Sequence, residues 1–424
     1  MSRTPLAAMA LALALGAARA DEPSTPLGPT AAPKPAIDVD GIQGILAVGR
    51  LDGWLLYGYR EQNPIALEIV RPEHTTRRWF YFIPARGEPV ALVHKVEAQA
   101  FTRIPGRRVE YAGWRELDTR LKEILKGKKR IAMEWSTELP ALSHVDAGTL
   151  EKVRGLGVEV ASSAELVQST KSRWDKEGRA SHYVAVHHLV ALKNDAFAFI
   201  GKELAAGRRI TEYDVQQRLW KGYGTRGLES DAPPIVAAGL STADATYIPT
   251  REGAREIRQG DLIVIEVWAR QAGNPDAIYA DVTWVGYAGK EVPARFADAF
   301  ALVVRARDEA TAMIAERVKS RKLVRGWEAD KVAREVIAKA GFGDRFIHRT
   351  GHSLDTRAHG DGVNLDDLET HDSRPIVQGV GFTVEPGVYL PGEFGVRTMV
   401  DCWVGPGGLE ITTPAQKEIT PLYP

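Results

Sequence analysis

The spacing of apolar residues changes its period along this chain. From residue 37 to about 167, short apolar runs alternate with amphipathic stretches. "GWLLYGY", "RRWFYFIPA", "PVALVHKV" and "KRIAMEWS" are rich in aromatic and β-branched residues and predict strands. "WRELDTRLKEILKG" repeats its apolar residues at helical spacing and stops at a glycine, which predicts a helix. This alternation predicts an α/β unit. "SSAELVQ" places Ser162 three residues before Glu165, the spacing of a capping box. Helical periodicity then runs from about 175 to 205, and Thr211 with Asp214 opens a second helix in "TEYDVQQRLWKGYG". Beyond about Pro233, strands and hairpins surround two helices, at about 293–320 and 328–340. Helices and strands are segregated there, so the class expected is α+β.

The first 36 residues follow neither period. "MSRTPLAAMALALALGAARA" has a basic start, an apolar run and an Ala18-Arg19-Ala20 cleavage pattern, which predicts a signal peptide over 1–20. Its apolar run is shorter than the roughly 20 residues a bilayer-spanning helix needs. "DEPSTPLGPTAAPKPA", residues 21–36, has five prolines and reads as an extended linker. The expected order is therefore signal peptide, linker, an N-terminal α/β domain over 37–165 and a second domain over 166–424. An exported protein follows, periplasmic or secreted, with no transmembrane anchor.

Composition adds two exclusions. The chain carries 55 basic and 55 acidic residues with no basic block, so nucleic acid is not an expected partner. Cys402 is the sole cysteine, which forbids an intrachain disulfide. It lies on the apolar side of its strand and reads as a small buried hydrophobe rather than a nucleophile.

Candidate chemistry comes from acids in apolar surroundings. Glu266 lies in "DLIVIEVWA", Asp281 in "AIYADVTWVGY" and Glu385 in "GVGFTVEPGVYL". An unpaired buried carboxylate costs several kcal/mol, so each needs a cation, a hydrogen-bond network or a metal. The strands of Glu266 and Asp281 are joined by "RQAGNPDAI", a hairpin connection that puts both acids on one sheet face. Pro386 holds Glu385 extended. "FIHRTGHSLDTRAHGDG" adds His348, His352 and His359, with Gly351 and Gly360 allowing close backbone approach. Carboxylates with imidazole suit Mn, Fe, Co or Zn. His182, His187 and His188 lack ligand spacing and read as a helix surface; His94 reads as structural. In "GVRTMVDCWV" strand alternation puts Val396, Thr398, Val400, Cys402 and Val404 on a core face. Arg397, Met399, Asp401 and Trp403 fall on a polar one.

"ADVT", "TGHS" and "VEPGVYLPGEFGVR", in that order, resemble the pita-bread metallopeptidase superfamily of Xaa-Pro aminopeptidases, prolidases, methionine aminopeptidases and metal-free creatinases. The resemblance covers a creatinase-type N-terminal α/β domain and a pita-bread catalytic domain. In that family five side chains, Asp, Asp, His, Glu and Glu, bind two metals. The resemblance implies Glu266, Asp281, His352 and Glu385 for the first four, with Glu385 also shuttling the proton of the attacking water. The bridging fifth position is Met399, which cannot serve. A substrate-contacting histidine is replaced by Thr246, whereas His359 is kept. His348, Arg397 and Thr246 are the implied substrate contacts.

A thioether is a soft, uncharged donor where hard ones are needed. The function expected is therefore an exported Xaa-Pro aminopeptidase-like hydrolase. It would cleave a residue before proline with metal-activated water at an atypical, one-metal site, on Mn, Co or Zn. Two alternatives stand beside it: a metal-free, creatinase-like C–N hydrolase of a small molecule, and a catalytically silent protein that binds peptides or a partner. A peptide or small-molecule substrate and a possible homodimer complete the expectation.

Overall fold

The computed structural model describes residues 37–423, so the signal peptide and linker expected over 1–36 lie outside the described residues. Helix α1 (Val39–Val48) leads into strand β1 (Gly53–Gly58), α2 (Pro64–Val70), β2 (Trp79–Pro84), β3 (Val90–His94), β4 (Arg107–Tyr111), α3 (Trp114–Ile124), β5 (Arg130–Met133), α4 (Ala147–Arg154), β6 (Glu159–Ser162) and α5 (Ala164–Thr170). The six strands form one sheet in the order β4-β3-β2-β1-β5-β6. β1, β2 and β3 pair antiparallel, and the outer pairs are parallel. Its strands are apolar on both sides because helices cover both faces. Leu166 and Val167 of α5 bury in the same core as Trp54 and Leu56, so α5 packs with this part of the chain. The capping box expected at Ser162 and Glu165 is absent. Ser162 is drawn into the parallel ladder opposite Met133, and Ser163 takes the cap position without a side-chain hydrogen bond.

The remainder follows as α6 (Lys176–Ala205), α7 (Glu212–Thr225), β7 (Leu228–Glu229), β8 (Ile235–Ala238), β9 (Leu262–Gln271), β10 (Ala280–Tyr287), α8 (Ala294–Lys319), α9 (Gly326–Lys339), β11 (Ser353–Leu354), β12 (Gly381–Val384), β13 (Gly387–Leu390), β14 (Phe394–Arg397), β15 (Val400–Gly405), β16 (Gly408–Ile411) and β17 (Thr420–Pro421). One sheet runs β17-β10-β9-β7, with β8 also on β9; a second runs β11-β12-β15-β16; β13 and β14 form a hairpin.

Alternation on β9 and β10 decides what faces where. Ile263, Ile265, Val267 and Ala269 of β9, with Ala280 and Val282 of β10, join the core under α6 and α7. The opposite face starts with Leu262, Val264 and Val285 in the core beneath α8 and α9. Farther along, the same face carries Glu266, Trp268, Asp281 and Thr283, which leaves a polar pocket between two apolar layers.

Two expectations fail here. The segment 395–404 is not one strand. It breaks at Thr398 and Met399, because β14 pairs with β13 whereas β15 pairs with β12 in another sheet. Its presumed polar side is not solvent-facing either: Met399 is 3% exposed and Asp401 is fully buried. The helix-surface reading also fails for His182, which lies on the inward stripe of α6 with Ala185 and Leu189. Its Nδ1 lies 2.8 Å from the Tyr279 carbonyl and Nε2 2.8 Å from Thr412 Oγ1, and burial pushes its imidazole down to about 4. His187 is exposed, as expected.

Candidate active site

The β9–β10 register sets the first two acids. Thr283 stands opposite Glu266 and Asp281 opposite Trp268, so all four share one face, as the hairpin reading expects. Glu266 is ion-paired with Arg397 at the end of β14, and burial pushes that guanidinium down to about 10. The carboxylate expected among the metal ligands is thus already occupied by a cation of the chain.

His352 and Glu385 meet because the segment 350–354 extends the ladder along β12. Thr383 N–H donates to the His352 carbonyl (2.8 Å), and Glu385 N–H donates to the Thr350 carbonyl (2.7 Å). Gly351 makes this possible: a Cβ there would lie 1.9 Å from the Thr383 carbonyl oxygen. His352 Nδ1 lies 3.2 Å from the Ser353 carbonyl, which can only accept, so Nε2 faces the acids. Nε2 is 3.1 Å from Glu385 Oε1 and 3.9 Å from Asp281 Oδ2. Thr383 Oγ1 donates to the same Glu385 oxygen (2.9 Å). Burial alone would raise the Glu385 carboxyl. The His352 imidazole, with His348 and the Thr383 hydroxyl, outweighs it, and together they hold Glu385 well below the usual carboxylate range.

Asp281 is in the opposite situation. Burial, then the charges of Asp401 and Glu385, push its carboxyl far up. Asp401 was not assigned a role by the sequence reading, although it sits two residues beyond Met399. Its Oδ2 accepts from Asp281 N–H (2.9 Å), and burial raises its carboxyl too. Asp281 Oδ1, Thr283 Oγ1 and Asp401 Oδ1 are buried without hydrogen-bond partners.

Glu266, Asp281, His352, Glu385 and Arg397 floor a cavity of about 270 Å³ whose wall includes Thr246, Trp268, His348, Arg349, His359 and Glu369. His359 stacks edge-on against His352 with ring centres 4.4 Å apart, and that imidazole with partial burial pushes His359 down to about 4. His348 has both ring nitrogens engaged, with the Arg349 carbonyl (2.7 Å) and Tyr389 Oη (2.9 Å), so it shapes the wall. Thr246 is exposed at the rim, and its hydroxyl donates to Asp244. The structure thus brings Glu266, Asp281, His348, His352, His359, Glu385, Arg397 and Thr246 to one cavity. Met399 supplies no donor. Among the described residues no group of three or more His, Cys, Asp or Glu side chains is already set around an ion position. Glu385 and His352 instead hydrogen-bond to each other.

Residues 185–406, just over half of the chain, match the model of Metallopeptidase family M24. The chain belongs to family M24. A relative described as a probable dipeptidase PepE, from Mycobacterium bovis, is 25% identical over 331 residues, 77% of this chain and 81% of that protein. The solved structure of dipeptidase PepE from Mycobacterium ulcerans superposes with a TM-score of 0.70 at 20% identity, covering 91% of this chain and 97% of that one. Prolidase from Thermococcus sibiricus gives 0.62 at 20% identity, covering 90% and 98%. The M24 assignment bears out the pita-bread fold and the metallopeptidase ancestry expected from the residues.

Proposed function

We propose that this M24 protein is a hydrolase of short peptides that removes a residue preceding proline, with at most one divalent ion at the cavity floor. The observation that carries the reading is the buried Glu385–His352 pair beside Asp281, whose Oδ1 is buried without a hydrogen-bond partner. The dipeptidase and prolidase descriptions of the relatives support the substrate class, and a cavity of about 270 Å³ suits a short peptide.

Two ions do not fit these residues, because Met399 offers no charge and Glu266 is neutralised by Arg397. One ion of the Mn, Co or Zn kind fits the donor chemistry of Asp281, His352 and Glu385, since Asp281 Oδ1 is buried and unsatisfied. Bound there, such an ion would polarise the peptide carbonyl and acidify a water. The chain's own residues supply the rest. Glu385 remains a carboxylate at neutral pH and takes the proton of the attacking water. His352, fixed through Nδ1, keeps Nε2 on Glu385. His359 is a neutral imidazole at neutral pH and offers one hydrogen bond to the substrate. Arg397 holds Glu266 in place beneath the cavity.

The test is hydrolysis of Xaa-Pro peptides by the purified protein with added Mn, Co or Zn. Turnover is expected, and Glu385→Gln should lower kcat by about 10²–10⁴-fold. No hydrolysis under any of these ions would contradict the proposal. We further propose export: N-terminal sequencing of the native protein should begin after Ala20, and a chain retaining Met1 would contradict it.

A further inference from the structure

The other face of β10 also meets a buried charged side chain. Asp281 and Thr283 look toward the candidate active site, whereas Trp284 projects the other way, beneath α6. There Lys193 places its ammonium 3.6 Å from the centre of the Trp284 ring. The residue is 4% exposed, and among the described residues its Nζ has no hydrogen-bond or ion-pair partner. A buried lysine without an anion is uncommon, because the ring face offsets only part of the lost hydration. Burial pushes this ammonium down to about 8.

Lys193 opens onto a cavity of about 330 Å³, separate from the first in its lining, whose walls include Asn194, Phe197, Trp284, Thr420 and Leu422. Trp284 is held in place by its Nε1–H, which donates to Thr420 Oγ1 (3.0 Å). The cavity thus has one unpaired cation, an amide and a hydroxyl near it, and an apolar wall.

We propose that this cavity is a second binding site, for a small molecule carrying one carboxylate on an apolar body. The carboxylate restores the missing counter-charge of Lys193, and a charge-assisted hydrogen bond to a desolvated ammonium is strong. Phe197, Trp284 and Leu422 bury the apolar part. An inorganic anion would satisfy Lys193 and leave that wall wet.

3-Phenylpropionate is the probe. Calorimetric titration of the full chain should give saturable binding, and acetylation by acetic anhydride, read by peptide mass mapping, should slow at Lys193 when the probe is present. Lys193→Met should weaken binding about tenfold or more, while Lys193→Arg keeps it. 3-Phenyl-1-propanol, without the charge, should bind about tenfold more weakly. His352→Ala should leave the affinity unchanged, which separates this site from the candidate active site. A chain extended at its C terminus by Gly-Ser-Gly distinguishes the added acid from the chain's own terminal carboxylate, and equal affinity is expected. Absence of protection at Lys193, wild-type binding by Lys193→Met, or binding only in the extended chain would each overturn the proposal.

Discussion

At the scale of single residues, two carboxylates set in opposite environments explain how this chain uses buried acids. Glu385 is stabilised as an anion by His352. Glu134, just after β5, has no cation beside it among the described residues. Trp54 Nε1–H donates to one of its oxygens (2.6 Å) and Asn63 Nδ2–H to the other (2.9 Å), yet burial pushes the carboxyl from 4.5 up to about 7. Between those pH values the folded chain holds a proton that the unfolded chain has lost. The contribution of Glu134 to stability therefore falls as pH rises from about 4.5 to 7, by about 3 kcal/mol in all, and levels off above. Glu134→Gln cannot titrate and should flatten that slope in urea midpoints taken at pH 5, 6 and 7.5. An unchanged slope would show that another group carries it.

Residue identity was legible in the sequence where chemistry is local, and less so where partners come from afar. Glu266, Asp281 and Glu385 stood out because carboxylates in apolar strands need partners. That Arg397 would take Glu266 was not readable, since their contact spans residues 266 and 397 across two sheets. Asp401 was passed over for the same reason: its link to Asp281 joins β15 to β10, which no local period reports.

At the scale of elements, the loop that carries His359 is tied to the N-terminal part of the chain. Lys171, at the end of α5, lies 2.9 Å from Glu68 of α2, 3.2 Å from Asp355 and 2.8 Å from Asp361. Arg357 pairs with Glu68 as well. Asp355 accepts from the backbone N–H of Arg357 (2.9 Å) and of Asp361 (3.0 Å), so this one buried cation helps hold the whole 355–361 turn. Lys171→Met leaves buried carboxylates short of a cation and should cost about 3–5 kcal/mol. Hydrogen exchange at Gly360, Asp361 and Gly362 should accelerate, and Lys171→Arg should restore most of the protection. Unchanged exchange in Lys171→Met would remove the tie from the account. Elements with their own period, such as α3, α6 and the hairpin of β9 and β10, were readable beforehand. The break between β14 and β15 was not, because alternation continues across Thr398 and Met399 while the pairing partner changes.

At the scale of the whole molecule, the fold is that of family M24 over most of its length, and the proposed function turns on the charge at the cavity floor. Met399, between β14 and β15, stands where the resemblance implies a bridging acid, and the buried Glu266 pairs with Arg397. The sequence pointed to Met399 through the order of its motifs, and in the structure that side chain is 3% exposed. The one-ion site proposed above is a claim of stoichiometry. Elemental analysis of the protein purified without chelator, beside its Met399→Glu variant, tests it most directly. No more than one divalent ion per wild-type chain and a higher content in Met399→Glu are expected; two ions per wild-type chain would contradict the proposed site.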